Sequence, residues 1–484
     1  MADNTLKEKT SKGLFWGAVS HGTTQVLNLL FGIFLARKLT QADYGILAII
    51  SIFTLVAGSI QSAGFSQALA NMKKPSHRDY NAVFWFNILA GGILYVILFC
   101  CAPLIALFFH QPVLVEVSRF TFLALLISAF GIVPNAYLWI NLRNRELAIA
   151  NFWGLVISGC TGIWMAYHDF AYWSLAWQQV IYITVVNIIR YYYTRWTPTL
   201  PVDFSPIRGM LRFSTKVLAT NILNNINQNV LTFVFGRIFH INTVGVYNQA
   251  NKWNTTGSSF ISNTINQVAQ PVLTAVNDDE QREQRVFRKM TRFTAFLSFP
   301  AMFGLAMVAN EFIVITITDY WVSCVPLLQI LAIGGAFLPF YILYQNMAIS
   351  HGRSDIYLYC TIGQIAAQLA IILLFSRWGI TTMVIAYSLF TIIYLFVWQI
   401  VTMSLSHISI WQSLKDILPF MLIAVCCMGG TYIITRPISS LPLLLAIRII
   451  IASSVYFLML RLLHAEILNE CIQFAKNKFN KNRT

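Results

Sequence analysis

The sequence predicts an all-α integral membrane protein of about fourteen spanning helices: two parallel-related six-helix lobes around a central cavity, plus two C-terminal helices. Three observations carry that prediction. First, 57% of the 484 residues are hydrophobic and only 11% charged, and mean hydropathy is +0.64. Soluble domains carry roughly 25% charged residues, so this chain has too little polar surface to cover its apolar mass in water. Second, apolar runs of about twenty residues recur along the whole chain. Third, Lys and Arg are unevenly shared between the segments joining those runs.

In chain order, the first run, 14–36, follows Lys7, Lys9 and Lys12. It is too long for a signal peptide and lacks a small-residue cleavage site. Runs 44–70 and 82–108 flank the basic Lys73, Lys74 and Arg78. Runs 117–140, 152–168 and 172–194 come next, followed by a basic stretch with Arg195, Arg208 and Arg212. Runs 213–236 and 245–272 are unusually rich in Asn and Gln. Beyond the basic stretch from Arg282 to Arg292 lie 293–315, 325–349, 356–376 and 380–403. The last two runs, 414–435 and 441–463, precede a basic tail.

If the N-terminus is cytoplasmic, 24 of the 33 Lys and Arg fall inside, six outside, and three (Lys216, Lys252, Arg448) within runs. The positive-inside rule therefore places both termini in the cytoplasm. The net charge of +15 is mostly topology. No nucleic-acid motif or basic face accompanies it. The loops are too short for an extramembrane catalytic domain, which disfavours an enzyme. The eight Cys show no metal-site spacing, and Cys100-Cys101 and Cys426-Cys427 sit in apolar runs. They read as inert buried thiols, and no metal or cofactor is expected.

A shift of 200 residues aligns Arg37 with Arg237, Gly45 with Gly245, and Gln67 with Gln267. His21, Thr24, Gln25 and Asn28 share one helical face, and Asn221, Asn224, Asn225 and Gln228 repeat that spacing. Ser51, Ser59, Ser62 and Ser66 are likewise matched by Asn251, Ser259, Ser262 and Asn266. Pro134 with Asn141 matches Pro339 with Asn346 at a shift of 205. These matches divide the chain into lobes 1–205 and 206–405 and a terminal pair of helices within 406–484. Six spans is an even number, so the repeats are parallel.

So many amides would be prohibitive facing lipid, and a water-filled cavity resolves the cost. The expected cavity residues are His21, Gln25, Asn28, Ser62, Lys216, Asn221, Asn224, Asn225, Gln228, Asn251, Lys252, Ser262, Asn266 and Arg448. Each polar residue taken singly also fits helix–helix adhesion, and Lys216 and Arg448 also fit snorkelling to headgroups. All 18 acids lie in loops or at run ends, so no carboxylate is available mid-membrane for a cation. A positive, amide-lined chamber suits an anionic, sugar-bearing ligand.

Several short motifs are similar to those of the polysaccharide-transporter family. They are Gly13-Leu14-Phe15-Trp16, Leu35-Ala36-Arg37-Lys38-Leu39 with Asp43-Tyr44-Gly45, and Gly64-Phe65 with Ala68-Leu69. Gly245-Val246-Tyr247, Ala250 with Lys252, Pro271, and Asp319-Tyr320-Trp321 add to the likeness. That family belongs to the multidrug/oligosaccharidyl-lipid/polysaccharide exporter superfamily, and the chain most resembles O-antigen, capsule and exopolysaccharide repeat-unit flippases. The resemblance implies flipping of undecaprenyl-pyrophosphate-linked oligosaccharides to the outer face of the bacterial inner membrane by alternating access. It also implies that the two terminal spans shelter the lipid tail, and that a polysaccharide polymerase and chain-length machinery are partners. A peptidoglycan-precursor flippase and a multidrug exporter are the alternatives, and the coupling ion is open.

Overall fold

The computed structural model describes residues 16, 22–62, 65–70, 72, 75–463, 465–470 and 473, without the side chains of 67, 70 and 211–217. Among the described residues all regular structure is helical. In the first half the helices are α1 (22–38), α2 (Gln41–Ser62), α3 (Phe65–Ala70), α4 (His77–Phe109), α5 (Leu114–Ile140), α6 (Asn144–Tyr167), α7 (Trp173–Thr194) and α8 (Ser205–Ile238). The second half follows with α9 (Ile241–Thr274), α10 (Glu280–Met307), α11 (Ala309–Ile317), α12 (Cys324–Gly335), α13 (Leu338–Ser350), α14 (Ser354–Phe375), α15 (Ile380–Ser406), α16 (Ile410–Ile434) and α17 (Leu441–Leu462).

Among the described residues nine helices are long and apolar enough to cross a membrane, with α12 and α13 taken as one, and ten if α10 and α11 are also joined. The remaining four of the fourteen expected runs are also helical, as α1, α7, α8 and α9. Polar side chains lower the hydropathy of α7, α8 and α9, and the described part of α1 is only 17 residues long. Elsewhere large apolar side chains face outward: Leu107 is 74% exposed and Leu374 72%. In water that surface would drive aggregation; against lipid chains it is solvated. Of the seven described Cys, only Cys324 and Cys427 are buried, while Cys100, Cys160 and Cys426 are exposed on apolar helices. The expectation of buried thiols is corrected there, because a helix facing lipid buries nothing of its own on that side.

The chain divides into two compact units, Met1–Gly245 and Val246–Thr484. The division falls later than the 205/206 boundary read from the sequence because α8 packs on α2, α3 and α4.

In the first unit α5 is central. Pro134 lacks an N–H, so the carbonyl of Phe130 loses its helical donor. The hydroxyl of Tyr191 on α7 donates to that carbonyl at 3.0 Å. Nearby, Gln61 Nε2 donates to Leu125 O at 2.9 Å, Ser128 Oγ to Gln61 Oε1 at 3.0 Å, and Asn187 Nδ2 to Ile127 O at 2.7 Å. Gly131 makes the last approach possible, because a Cβ there would overlap the Asn187 amide. At the start of α2 and of α9 the backbones touch reciprocally. A Cβ on Gly45 would overlap the Ile241 carbonyl, and one on Gly245 would overlap the Gln41 carbonyl.

Between α7 and α8, Asp203 pairs with Arg78. Its carboxyl is held below the ordinary range, first by the Ser205 backbone N–H, then by the Ser205 hydroxyl and Arg78.

In the second unit Phe287, Phe299, Phe340 and Trp398 lie in the buried core. The expected span 293–315 is instead two helices, α10 and α11, bent by 66°. One of the acids at a run end is buried inside the protein. Glu311, in the first turn of α11, is 4% exposed and pairs with Arg448 at 2.8 Å. At the other end of α10, Arg288 makes a two-pronged bond to Asp416 of α16 at 2.7 and 3.1 Å. Arg292 and Lys289 pair with Glu466 and Glu470 beyond α17.

Two pairs of helix ends share their local geometry. After α5, Leu142 adopts a positive φ of 56°, and Arg143 N–H reaches back to Leu138 O at 2.8 Å. After α13, Gly352 has φ 71°, and Arg353 N–H reaches Ala348 O at 3.0 Å. The left-handed caps of α7 and α15, Arg195 and His407, match likewise.

Candidate functional site in the amide-rich helices

α8 and α9 are each 34 residues long, about 50 Å at 1.5 Å per residue. That exceeds an apolar membrane core, and the amides on them need partners.

In the first unit, Asn225 of α8 donates through Nδ2 to Ser59 Oγ of α2 at 2.6 Å. Asn229 donates to Asn225 O at 2.9 Å, and Ser62 to Ser59 O at 3.3 Å. Thus the serine face of α2 and the amide face of α8, read separately in the sequence, meet. Asn221 and Asn224 are half-buried on α8, while Gln228 is exposed. On α1, Gln25 and Asn28 are exposed. His21 and the side chain of Lys216 lie outside the described residues.

In the second unit, Asn251 is half-buried, Ser262 buried, and Lys252 and Asn266 exposed along α9. Asn346 of α13 donates to Asn266 Oδ1 at 3.2 Å and to Ile342 O at 2.8 Å. Asn141, after α5, makes the same kind of backward bond, to Tyr137 O at 2.8 Å. Among the described residues no acid pairs with Lys252, so its cation is available.

Arg448 differs. It is 4% exposed, and besides Glu311 it donates to Thr435 Oγ1 at 3.1 Å and lies 4.6 Å from the Tyr432 ring centroid. Its charge is neutralised in place, so the structure gives it a structural partner rather than an open face. Snorkelling is equally absent, since the side chain stays inside the protein. The sequence reading passed over Gln61, Asn187, Asn346 and Glu311 as bonded polar groups. The available signal was a lone amide or acid inside an apolar run, whose alternative to a partner is a costly orphan. Among the described residues no group of three or more His, Cys, Asp or Glu gathers as a metal site.

A chain whose described regular structure is helical, with apolar side chains facing outward and bonded amides on its long helices, is a multi-pass membrane protein. A family model described as polysaccharide biosynthesis protein matches residues 34–326, and the chain belongs to that family. The resemblance read from its short motifs is thereby borne out. The chain is 28% identical over 345 residues to an uncharacterized membrane protein in cps region of Klebsiella pneumoniae, covering 69% of each. To the lipopolysaccharide biosynthesis protein WzxC of Escherichia coli K12 it is 25% identical over 341 residues, covering 68% of each. In fold it is similar to the lipid II flippase MurJ in an inward closed conformation. The TM-score is 0.77 at 14% identity, over 93% of this chain and 99% of that one.

Proposed function

We propose that the chain flips lipid-linked oligosaccharide repeat units from the cytoplasmic to the outer face of the bacterial inner membrane. It does so by alternating access of two parallel six-helix lobes, with no bond made or broken. The observation that carries this reading is the pair of long amide-studded helices, α8 and α9, in a member of the polysaccharide biosynthesis family. Amides both donate and accept, so they replace water around sugar hydroxyls without a fixed sequence of donors. The name of WzxC and the fold shared with a lipid flippase support the same direction. The matching turns in the two units support the duplication.

The polar head enters a cavity lined by amides and hydroxyls, and the polyprenyl tail stays in lipid. Lys252 offsets pyrophosphate charge, with Lys216 nearer the inner end. Both termini are cytoplasmic, and α16 and α17 lie beyond the twelve-span core as shelter for the tail. Rocking of the lobes then exposes the head outside, biased by differential affinity or an ion gradient. A polymerase and chain-length machinery take up the product.

The test is deletion of the gene, followed by lipid extraction and surface-glycan staining. Complete lipid-linked repeats should accumulate inside while surface glycan falls, and the wild-type gene should restore both. Normal surface glycan in a deletion strain with no second exporter would sink the proposal. In the same strain, Lys252→Ala at matched abundance should restore less glycan than wild type. Full restoration removes Lys252 from the site.

A further inference from the structure

Inside the first unit, between α2–α3, α5 and α7, lies a cavity of about 250 Å³, and of its described lining only Ser62 belongs to the site above. At ~30 Å³ per water it has room for roughly eight waters, and so for a hydrated phosphate. Its described polar lining comprises Ser62, Ser66, Ser128, Asn135, Tyr182, Asn187 and Arg190, with no acid among the described lining residues.

Several of these groups are already committed. Ser62 and Ser128 spend their hydroxyl protons on Ser59 O and on Gln61 Oε1 or Leu125 O, and Asn187 donates to Ile127 O. Four are not. Ser66, Asn135 and the Tyr182 hydroxyl have no hydrogen-bond partner among the described residues. Arg190 makes one long bond, from Nη2 to Asn151 Oδ1 at 3.4 Å, and its buried Nε has none. Among the described residues no carboxylate pairs with it. One guanidinium, one amide and two hydroxyls therefore converge with donors to spare. Leaving a cation so placed without counter-charge is costly, and an oxyanion is the ligand that removes the cost.

We propose that this cavity is an anion subsite for phosphate oxygens, with Arg190 as the charged ligand and Ser66, Asn135 and Tyr182 as neutral donors. A guanidinium fork fits two phosphate oxygens side by side, a match that Lys lacks. The proposal rests on the flippase reading only for the source of the phosphate. That source is the diphosphate of the lipid-linked substrate or the headgroup of an anionic bilayer lipid.

The experiment is native mass spectrometry of the full chain in detergent. Undecaprenyl pyrophosphate, undecaprenol and phosphatidylglycerol are added in separate arms. Wild type should retain the phosphate-bearing probes. Arg190→Gln should weaken that retention about tenfold or more, as expected for loss of a charge-assisted bond, while undecaprenol retention stays unchanged. Arg190→Lys should recover part of it. Loss confined to the diphosphate supports the subsite and assigns it to substrate; loss confined to phosphatidylglycerol supports it and assigns it to the bilayer. Unchanged retention of both probes by Arg190→Gln overturns it. If that variant does not elute as folded protein, Ser66→Ala with Asn135→Ala carries the test, and wild-type retention by that double variant overturns the proposal. Normal glycan export in the deletion strain would defeat the flippase reading yet leave this binding result standing.

Discussion

Arg448 shows how a residue's meaning depends on what folds against it. In the sequence it is a cation within an apolar run, open to either a cavity or a headgroup. In the structure its guanidinium lies against Glu311, and both side chains are 5% exposed. Removing one partner strands the other charge, so Arg448→Ala should cost about 3–5 kcal/mol of stability. Glu311→Gln with Arg448→Met, which removes both charges, should recover most of it. Thermal unfolding in detergent reads the difference, and a double variant as unstable as the single would refute the argument. The amides of α8 were legible as a face because helical spacing groups them. The Glu311–Arg448 pair was not, because ion pairing between distant helices leaves no local pattern in a chain.

At the scale of elements, run length located the helices, whereas their breaks escaped it. Hydropathy registers side chains and is blind to the backbone ladder, so the 66° bend between α10 and α11 and the interruption between α12 and α13 were read as continuous spans. Pro134 within α5 is a milder case, since the helix continues and a neighbouring hydroxyl repairs the gap. Tyr191→Phe should therefore cost about 1 kcal/mol, by leaving the Phe130 carbonyl without a donor. In a Pro134→Ala background the restored N–H supplies that donor, and the same substitution should cost less. A double-mutant cycle on thermal stability measures the coupling, and strictly additive effects would remove Tyr191 from this role.

For the whole molecule, the sequence carried the membrane class and the family resemblance. The unit division at Gly245 was not legible, because it depends on which helices α8 packs against. Orientation is argued from charge alone. An alkaline phosphatase fusion after Arg377 should be active and one after Arg353 inactive, since the enzyme folds only outside the cytoplasm. The reverse pattern would invert the topology. The acid–base pairs Arg288–Asp416, Lys289–Glu470 and Arg292–Glu466 all stand at one end of the second unit. Part of its basic excess is thus engaged by the protein itself, and the rest remains to orient it in the bilayer.

The crossing of Gly45 and Gly245 has a further consequence. Each glycine presses on the main chain of the other segment, at the residue four positions ahead of the other glycine. No change of side chain on the opposite strand can make room for an added methyl, because the obstruction is a carbonyl that every amino acid carries. The two positions therefore stand or fall together: a side chain at either one would push the segments apart and undo the close approach of both.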